Sequence, residues 1–196
     1  TNFLNRNLPI WAFEKRGLNN MRLKITFRTE KSQTIPINYQ YPLMAAILKL
    51  LDSASHEYAK FIHESGYKGL DGKYRKLFTF SKVYFTPKPE QKENRLFLRA
   101  KSNGSLTVSS PMINDFLATL IMGASAENRF QIGTSEFEII TVEQIQPPDL
   151  SQKQRFRTLS PLVLSTVKID NGRKSTYYLR PLDEGIEEAV RKSLVG

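Results

Sequence analysis

The strict alternation in Met21-Arg-Leu-Lys-Ile-Thr-Phe-Arg28 constrains this chain more than any other feature, because Leu23, Ile25 and Phe27 stand against Arg22, Lys24, Thr26 and Arg28. Successive side chains of a strand point to opposite faces, so the segment must bury one face and leave the other polar. The period then changes. After a loop over residues 29–40, Leu43, Ala46, Ile47, Leu50 and Leu51 recur at helical spacing and give a helix with one apolar stripe. Ser55 can cap a second helix, His56-Glu-Tyr-Ala-Lys-Phe-Ile-His63-Glu64, which ends at Gly66. A loop over residues 66–75 carries Tyr67, Lys68, Lys73, Tyr74 and Arg75 among glycines, and residues 76–85 read as the next strand.

Residues 95–100 and 105–108 are expected to form a hairpin around Asn103-Gly104. Ser109-Ser110-Pro111 offers a cap and an N-terminal proline to a helix over residues 112–122, stopped by Gly123. Residues 130–132 and 136–145 supply closing strands. The order strand, helices, strand, strand, helix, strand is the split βαβ pattern of an α+β, ferredoxin-like (RRM-like) βαββαβ domain over residues 21–146.

Pro147-Pro148-Asp149 then marks a linker over residues 147–154. Residues 155–167 read as a strand bent at Pro161, followed by a hairpin through Asn171-Gly172 and a return over residues 175–179. A helix over residues 182–195 follows Pro181, with Asp183 and Glu184 early and Arg191 and Lys192 late, matching its dipole. Residues 155–196 thus make the first half of a second ferredoxin-like unit, and the expectation is that more chain should follow. Residues 1–20 begin without methionine, show neither period, and are expected to be an upstream or expression-derived extension.

Charge narrows the class of partner. Lys and Arg number 29 against 19 Asp and Glu, a formal charge of +10, so the surface field attracts polyanions, nucleic acid first among them. With no cysteine, the chain has neither a disulfide frame nor sulfur ligands for zinc, as expected of a cytoplasmic protein. The longest uncharged apolar run, residues 116–124, is far short of the roughly 20 residues that span a bilayer, so no membrane partner is expected.

Proton-transfer chemistry points first to the two histidines. Imidazole titrates near pH 6.5 and can both take a proton from a ribose hydroxyl and give one to a leaving oxygen. At about 100° per residue, His63 falls roughly 120° from the centre of the arc formed by Tyr58, Ala59, Phe61 and Ile62, on the exposed margin. It reads either as a catalytic group or as a surface residue near a helix end. His56, seven positions earlier, reads as an ordinary first-turn residue, and no zinc-type spacing or acidic cluster accompanies the pair, so no metal site is expected. Lys76 reads either as a cation for a developing oxyanion or as a solvated strand end. Lys68, Lys73 and Arg75 can hold phosphates while Tyr67 and Tyr74 offer faces for unpaired bases, the alternative being a solvated loop. Arg22, Lys24 and Arg28 could add phosphate contacts or serve solubility.

The arrangement resembles the repeat-processing endoribonucleases of CRISPR systems, members of the repeat-associated RNA-binding superfamily. The resemblance rests on Met21-Arg-Leu-Lys-Ile, Ile37-Asn-Tyr-Gln-Tyr-Pro-Leu43, Ala59-Lys-Phe-Ile-His63-Glu64-Ser-Gly-Tyr67, Lys76-Leu-Phe-Thr-Phe-Ser81, Thr141-Val-Glu-Gln-Ile145 and Leu159-Ser-Pro-Leu-Val163, in that order. It implies cleavage of single-stranded or hairpin repeat RNA without metal or cofactor, the 2′-hydroxyl attacking to leave a 2′,3′-cyclic phosphate and a 5′-hydroxyl. His63 falls at the family's histidine and Lys76 at its basic residue. The tyrosine that some members carry on the first helix is replaced by Leu48, a place Tyr67 or Tyr41 could fill. The family's glycine-rich C-terminal loop has no counterpart in this sequence. Other CRISPR-associated proteins and a second copy of the chain are further partners that the resemblance allows. The competing readings are an RNA-binding module that does not cut, and a structural subunit of a CRISPR complex.

Overall fold

A computed structural model of the chain describes residues 22–69, 72–145, 155, 163–170 and 172–195. The chain divides into two compact units at residues 148/149. The expected extension over residues 1–20 and the expected linker over residues 147–154 lie outside the described residues, as do the Pro161 bend and Asn171.

The alternating segment is β1 (Arg22–Arg28), and it lies inside the main sheet. It pairs antiparallel with β9 (Asn103–Ser109) on one side and β11 (Ser135–Ile145) on the other. The sheet runs β10 (Arg129–Ile132), β11, β1, β9, β5 (Thr79–Phe80), and β6 (Tyr84–Thr86) also pairs with β9. Stripped of the β10 edge, this is the 4-1-3-2 order of a ferredoxin-like domain. Leu23, Ile25 and Phe27 are buried under α1 (Gln40–Ala54), α2 (His56–Glu64) and α3 (Ala118–Glu127), while Arg22, Lys24, Thr26 and Arg28 face the other way.

Three expectations fail in detail, each for a packing reason. The expected 95–108 hairpin does not form: β8 (Arg95–Leu98) pairs with β2 (Gln33–Pro36), inside the expected 29–40 loop, and with β7 (Glu90–Lys92), while Asn103 and Gly104 open β9 against β1. Gly104 is a space requirement, since any Cβ there would collide with the Phe27 ring. The expected 76–85 strand is broken between β5 and β6, where the Ser81 hydroxyl accepts from the Thr107 N–H at 3.0 Å and the Val83 N–H donates to the Tyr39 hydroxyl at 3.0 Å. The helix expected to stop at Gly123 opens as a π-helical turn at Ile113–Leu117 and continues to Glu127, closing on Asn128 in the left-handed conformation. Gly123 lies inside it because a side chain there would strike the Leu50 carbonyl of α1. Ser110 does not cap the helix as expected: its hydroxyl accepts from the Met112 N–H at 3.0 Å, in the turn ahead of the first helical residue, and Met112 takes the N-cap position.

In the second unit, β12 (Ser165–Asp170) and β13 (Arg173–Tyr178) form the expected hairpin, and α4 (Ile186–Val195) begins four residues later than expected. Asp183 explains the delay: its carboxylate accepts from the Arg180 N–H at 2.8 Å and the Tyr177 hydroxyl at 2.9 Å, holding a turn ahead of the helix.

Gly123→Ala tests the helix crossing. The obstacle is a backbone carbonyl that cannot rotate away, so the cost should lie toward the upper end of the about 1–3 kcal/mol typical of overpacking. Urea unfolding should show a lower midpoint at unchanged slope.

Candidate active site

A break between α1 and α2 creates the site. Ser55 is extended at φ −157° and its hydroxyl accepts from the Tyr58 N–H at 3.3 Å, starting α2 in a new direction. Tyr58, Ala59 and Ile62 turn inward, leaving His56, Lys60, His63 and Glu64 exposed. Between the helices runs a groove of about 480 Å³, with Leu48 and Ala59 as its apolar lining and Lys49, Asp52, His56, Lys60, His63 and Glu64 as its polar lining. His63 is therefore where the sequence placed it, in a groove that carries two lysines, two carboxylates and both histidines.

The chain then doubles back onto the end of α2. Gly66, at φ +71°, lets β3 (Tyr67–Lys68) leave the helix and pair with β4 (Tyr74–Arg75), inside the expected 66–75 loop. A Cβ on Gly66 would sit 2.5 Å from the Arg75 carbonyl oxygen and 3.4 Å from the Lys76 Cα. That close approach brings the backbone of Lys76, a half-buried residue, to the helix end that carries His63. The ladder sorts the loop residues by face. Lys68 and Tyr74 are a cross-strand pair and both exposed; Tyr67 and Arg75 are the other pair, buried and half-buried respectively. Lys73 is exposed in the turn, its carbonyl accepting from Gly69 N–H at 2.7 Å.

Tyr67 does not reach the groove surface. Its hydroxyl lies 2.9 Å from that of Tyr58, both rings buried, and its ring stands perpendicular to that of Phe61 with the centroids 5.1 Å apart. Burial pushes the Tyr58 hydroxyl far above the ordinary tyrosine range. The pair is a buried polar bolt between α2 and β3. Tyr41, the other substitute for the missing tyrosine, is 76 % exposed at the start of α1 and does not line the groove.

Arg22 and Lys24 are separated from this cluster, on the sheet face turned away from the helices. Arg28 on that face is committed to Glu30 at 3.3 Å and Glu138 at 3.4 Å. Lys49, Asp52 and Lys60 are groove residues that the sequence reading missed. Their spacing to the histidines, Asp52 and Lys49 four and seven residues before His56 and Lys60 four after it, was the available signal. Among the described residues no group of three or more His, Cys, Asp or Glu is placed to hold a metal ion, and no helix is long and apolar enough to cross a membrane.

A ferredoxin-like sheet backed by a histidine-bearing groove, with the exposed cations Lys68 and Lys73 on the adjoining hairpin, fits the repeat-associated RNA-binding class. Comparison with known proteins goes further: residues 34–144 match the family model for the N-terminal part of CRISPR-associated protein Cas6, and residues 145–196 match that for its C-terminal part. The chain belongs to the Cas6 family. It is 24% identical over 176 residues to a Pyrococcus horikoshii protein provisionally named a CRISPR-associated endoribonuclease-like protein, Cas6nc, covering 89% of this chain and 69% of that one. A Pyrococcus furiosus protein provisionally named Cas6 is 23% identical over 177 residues, covering 89% and 68%. Among solved structures, one described as CRISPR associated protein Cas6 superposes with a TM-score of 0.63 at 26% identity, over 89% of this chain and 68% of that one. Another, described as a RAMP protein binding different RNA substrates, superposes at 0.64 with 24% identity, over 89% and 69%. Family membership carries a role in CRISPR-associated RNA processing.

The tyrosine bolt makes two predictions. Tyr58→Phe or Tyr67→Phe alone strands a buried hydroxyl and should cost about 1–3 kcal/mol, whereas the double replacement should cost less than the sum. Tyr58 keeps its proton in the folded chain above about pH 10, where an unfolded tyrosine loses its own. The unfolded state then binds fewer protons, so stability falls as pH rises through that range, less steeply in Tyr58→Phe. Urea titrations from pH 8 to about 11 read both effects.

Proposed function

We propose that this protein is a metal-independent endoribonuclease that binds and cuts CRISPR repeat RNA by attack of a ribose 2′-hydroxyl, releasing a 2′,3′-cyclic phosphate and a 5′-hydroxyl. The observation that carries the reading is the close approach at Gly66, which sets the Lys76 backbone against the helix end bearing His63. His63 moves a proton at the scissile phosphate. Lys76 offsets the charge that grows on the phosphorane oxygens without moving a proton. Lys68 and Tyr74, side by side on one face of the β3–β4 ladder, take the neighbouring strand, the amine on a phosphate and the ring beneath an unpaired base. Lys73 and Arg75 extend the same basic run, and Arg22 and Lys24 give the sheet face a second set of cations.

Leu48 supports a second reading, a module that binds repeat RNA without cutting it, because an alkyl chain stands where some family members carry a catalytic tyrosine. Cleavage separates the two. His63→Ala should lower the single-turnover rate by about 10² to 10⁴ with little change in RNA affinity. Lys76→Ala should lose less. A chelator should leave the rate unchanged, and a deoxynucleotide at the cut should abolish it; activity lost to chelator and restored by magnesium would overturn metal independence. No cleavage of any repeat RNA would favour the binding module.

Phosphate contacts release condensed counterions, so affinity should fall with salt at a slope of about −0.7 per phosphate neutralised. Four to six contacts imply a log–log slope of roughly −3 to −4. A slope near zero sinks the basic surface as the binding site.

A further inference from the structure

The groove holds a second imidazole that the sequence treats as ordinary. His56 and Asp52 face each other across the α1–α2 break, Nδ1 lying 2.7 Å from the Asp52 carboxylate. An ionised carboxylate can only accept, so Nδ1 carries the proton and the Nε2 lone pair of neutral His56 is left free. A carboxylate that fixes the tautomer of a histidine is the arrangement that makes imidazole a ready base. Among the described residues, both histidines line this one groove, and so does Leu48, where the resemblance places a tyrosine in other members.

Resting on the endoribonuclease reading above, we infer that His56, oriented by Asp52, is the general base for the 2′-hydroxyl, and that His63 is the general acid for the leaving 5′-oxygen.

Distance supports the division of labour. Seven residues at about 1.5 Å rise put the two histidines roughly 10 Å apart along α2 and on nearly the same side of it. The reaction needs a similar span: hydrogen bonds of about 2.8 Å at either end, a nucleophile held about 3–3.5 Å from phosphorus, and one P–O bond. Nε2 of His56 takes the 2′-hydroxyl proton as the oxygen forms its bond to phosphorus. The P–O5′ bond breaks with its electron pair on O5′, which receives the proton of protonated His63. The products are the cyclic phosphate and the 5′-hydroxyl, and the histidines have exchanged protonation states, which solvent resets. Lys49 and Lys60 in the same groove are placed to hold the flanking phosphates, with Glu64 the remaining anion beside His63.

The side chain of His56 is 82 % exposed and that of Asp52 51 %, so replacing either leaves the core untouched. The test is single-turnover cleavage by the intact chain of a repeat RNA and of the same RNA with sulfur at the leaving 5′ position. A thiolate, with a pKa near 8.5, departs without a proton and so has no need of the acid. His56→Ala should cut the normal RNA about 10² to 10⁴ times more slowly with affinity unchanged, and sulfur should not restore it. His63→Ala should be restored by sulfur. Asp52→Asn should slow the parent but add nothing to His56→Ala, since a positioning group acts only through the ring it holds. If the parent and His56→Ala cut alike while His63→Ala does not, this inference falls and the endoribonuclease reading stands. Restoration of His56→Ala by sulfur overturns its assignment as base. If the parent cuts neither RNA, both fall together.

Discussion

Phe27 is the residue on which the larger unit depends. It sits in the strand hydrogen-bonded on both sides, fully buried, with three rings set edge-on around it: Phe130 at 4.8 Å, Phe137 at 5.2 Å and Phe85 at 6.1 Å. Edge-to-face contacts are each worth about 0.5–1.5 kcal/mol beyond the area they bury. They also join elements far apart in sequence, since the three rings come from β10, β11 and β6. The same ring excludes any side chain from Gly104, which fixes where β9 lies against β1. Once that register is set, the open face of the sheet is set too: Arg22 stands opposite Ser109 and Lys24 opposite Thr107.

The site inherits its geometry from this core at one remove. α1 is fixed from the far side by Gly123 beneath the Leu50 carbonyl, and it presents Leu48, Lys49 and Asp52 outward. α2 cannot continue α1 because Ser55 is extended, so its outer face meets α1 at an angle and a groove opens between them. The hydrogen bond between Tyr58 and Tyr67 and the close approach at Gly66 then carry β3, β4 and Lys76 to the end of α2. A buried hydroxyl pair inside an apolar shell is costly if half made, so it specifies one arrangement of helix and hairpin rather than merely adding stability.

What the sequence disclosed follows from range. Period carries local structure, and β1, the apolar stripe of α1, the Ser55 cap and the position of His63 outside the apolar arc of α2 were all legible from it. The ferredoxin-like order followed because it depends only on which elements exist. Pairing partners are set by contacts between distant residues, and there the reading failed. Asn103-Gly104 has the composition of a turn, yet Gly104 is small for the sake of Phe27, seventy-seven residues earlier in sequence. Gly123 likewise has the composition of a helix stop and is a crossing point against Leu50. At the site, the exposed margin of one helix was visible, but the groove needed two. Asp52 and His56 are four apart, a spacing that signals a pair only within one continuous helix, and Ser55 interrupts it.

Exposure separates the groove residues from the frame that holds them. His63, His56, Asp52, Lys49 and Lys60 are all exposed, and none belongs to the buried core. Exchanging one of them costs the fold little, because surface replacements away from caps and buried networks usually stay within about 0.5 kcal/mol. Tyr67 is the opposite case: its hydroxyl is held by Tyr58, and the fold requires it where it is. Tyr67 therefore cannot be freed to act at the groove without loosening α2. The groups at the rim of the groove carry no such obligation, and there a carboxylate and an imidazole stand within hydrogen-bonding distance of each other. The frame is set by Phe27, Gly104, Gly123 and the tyrosine pair; the chemistry is set by which exposed groups line the groove they hold open.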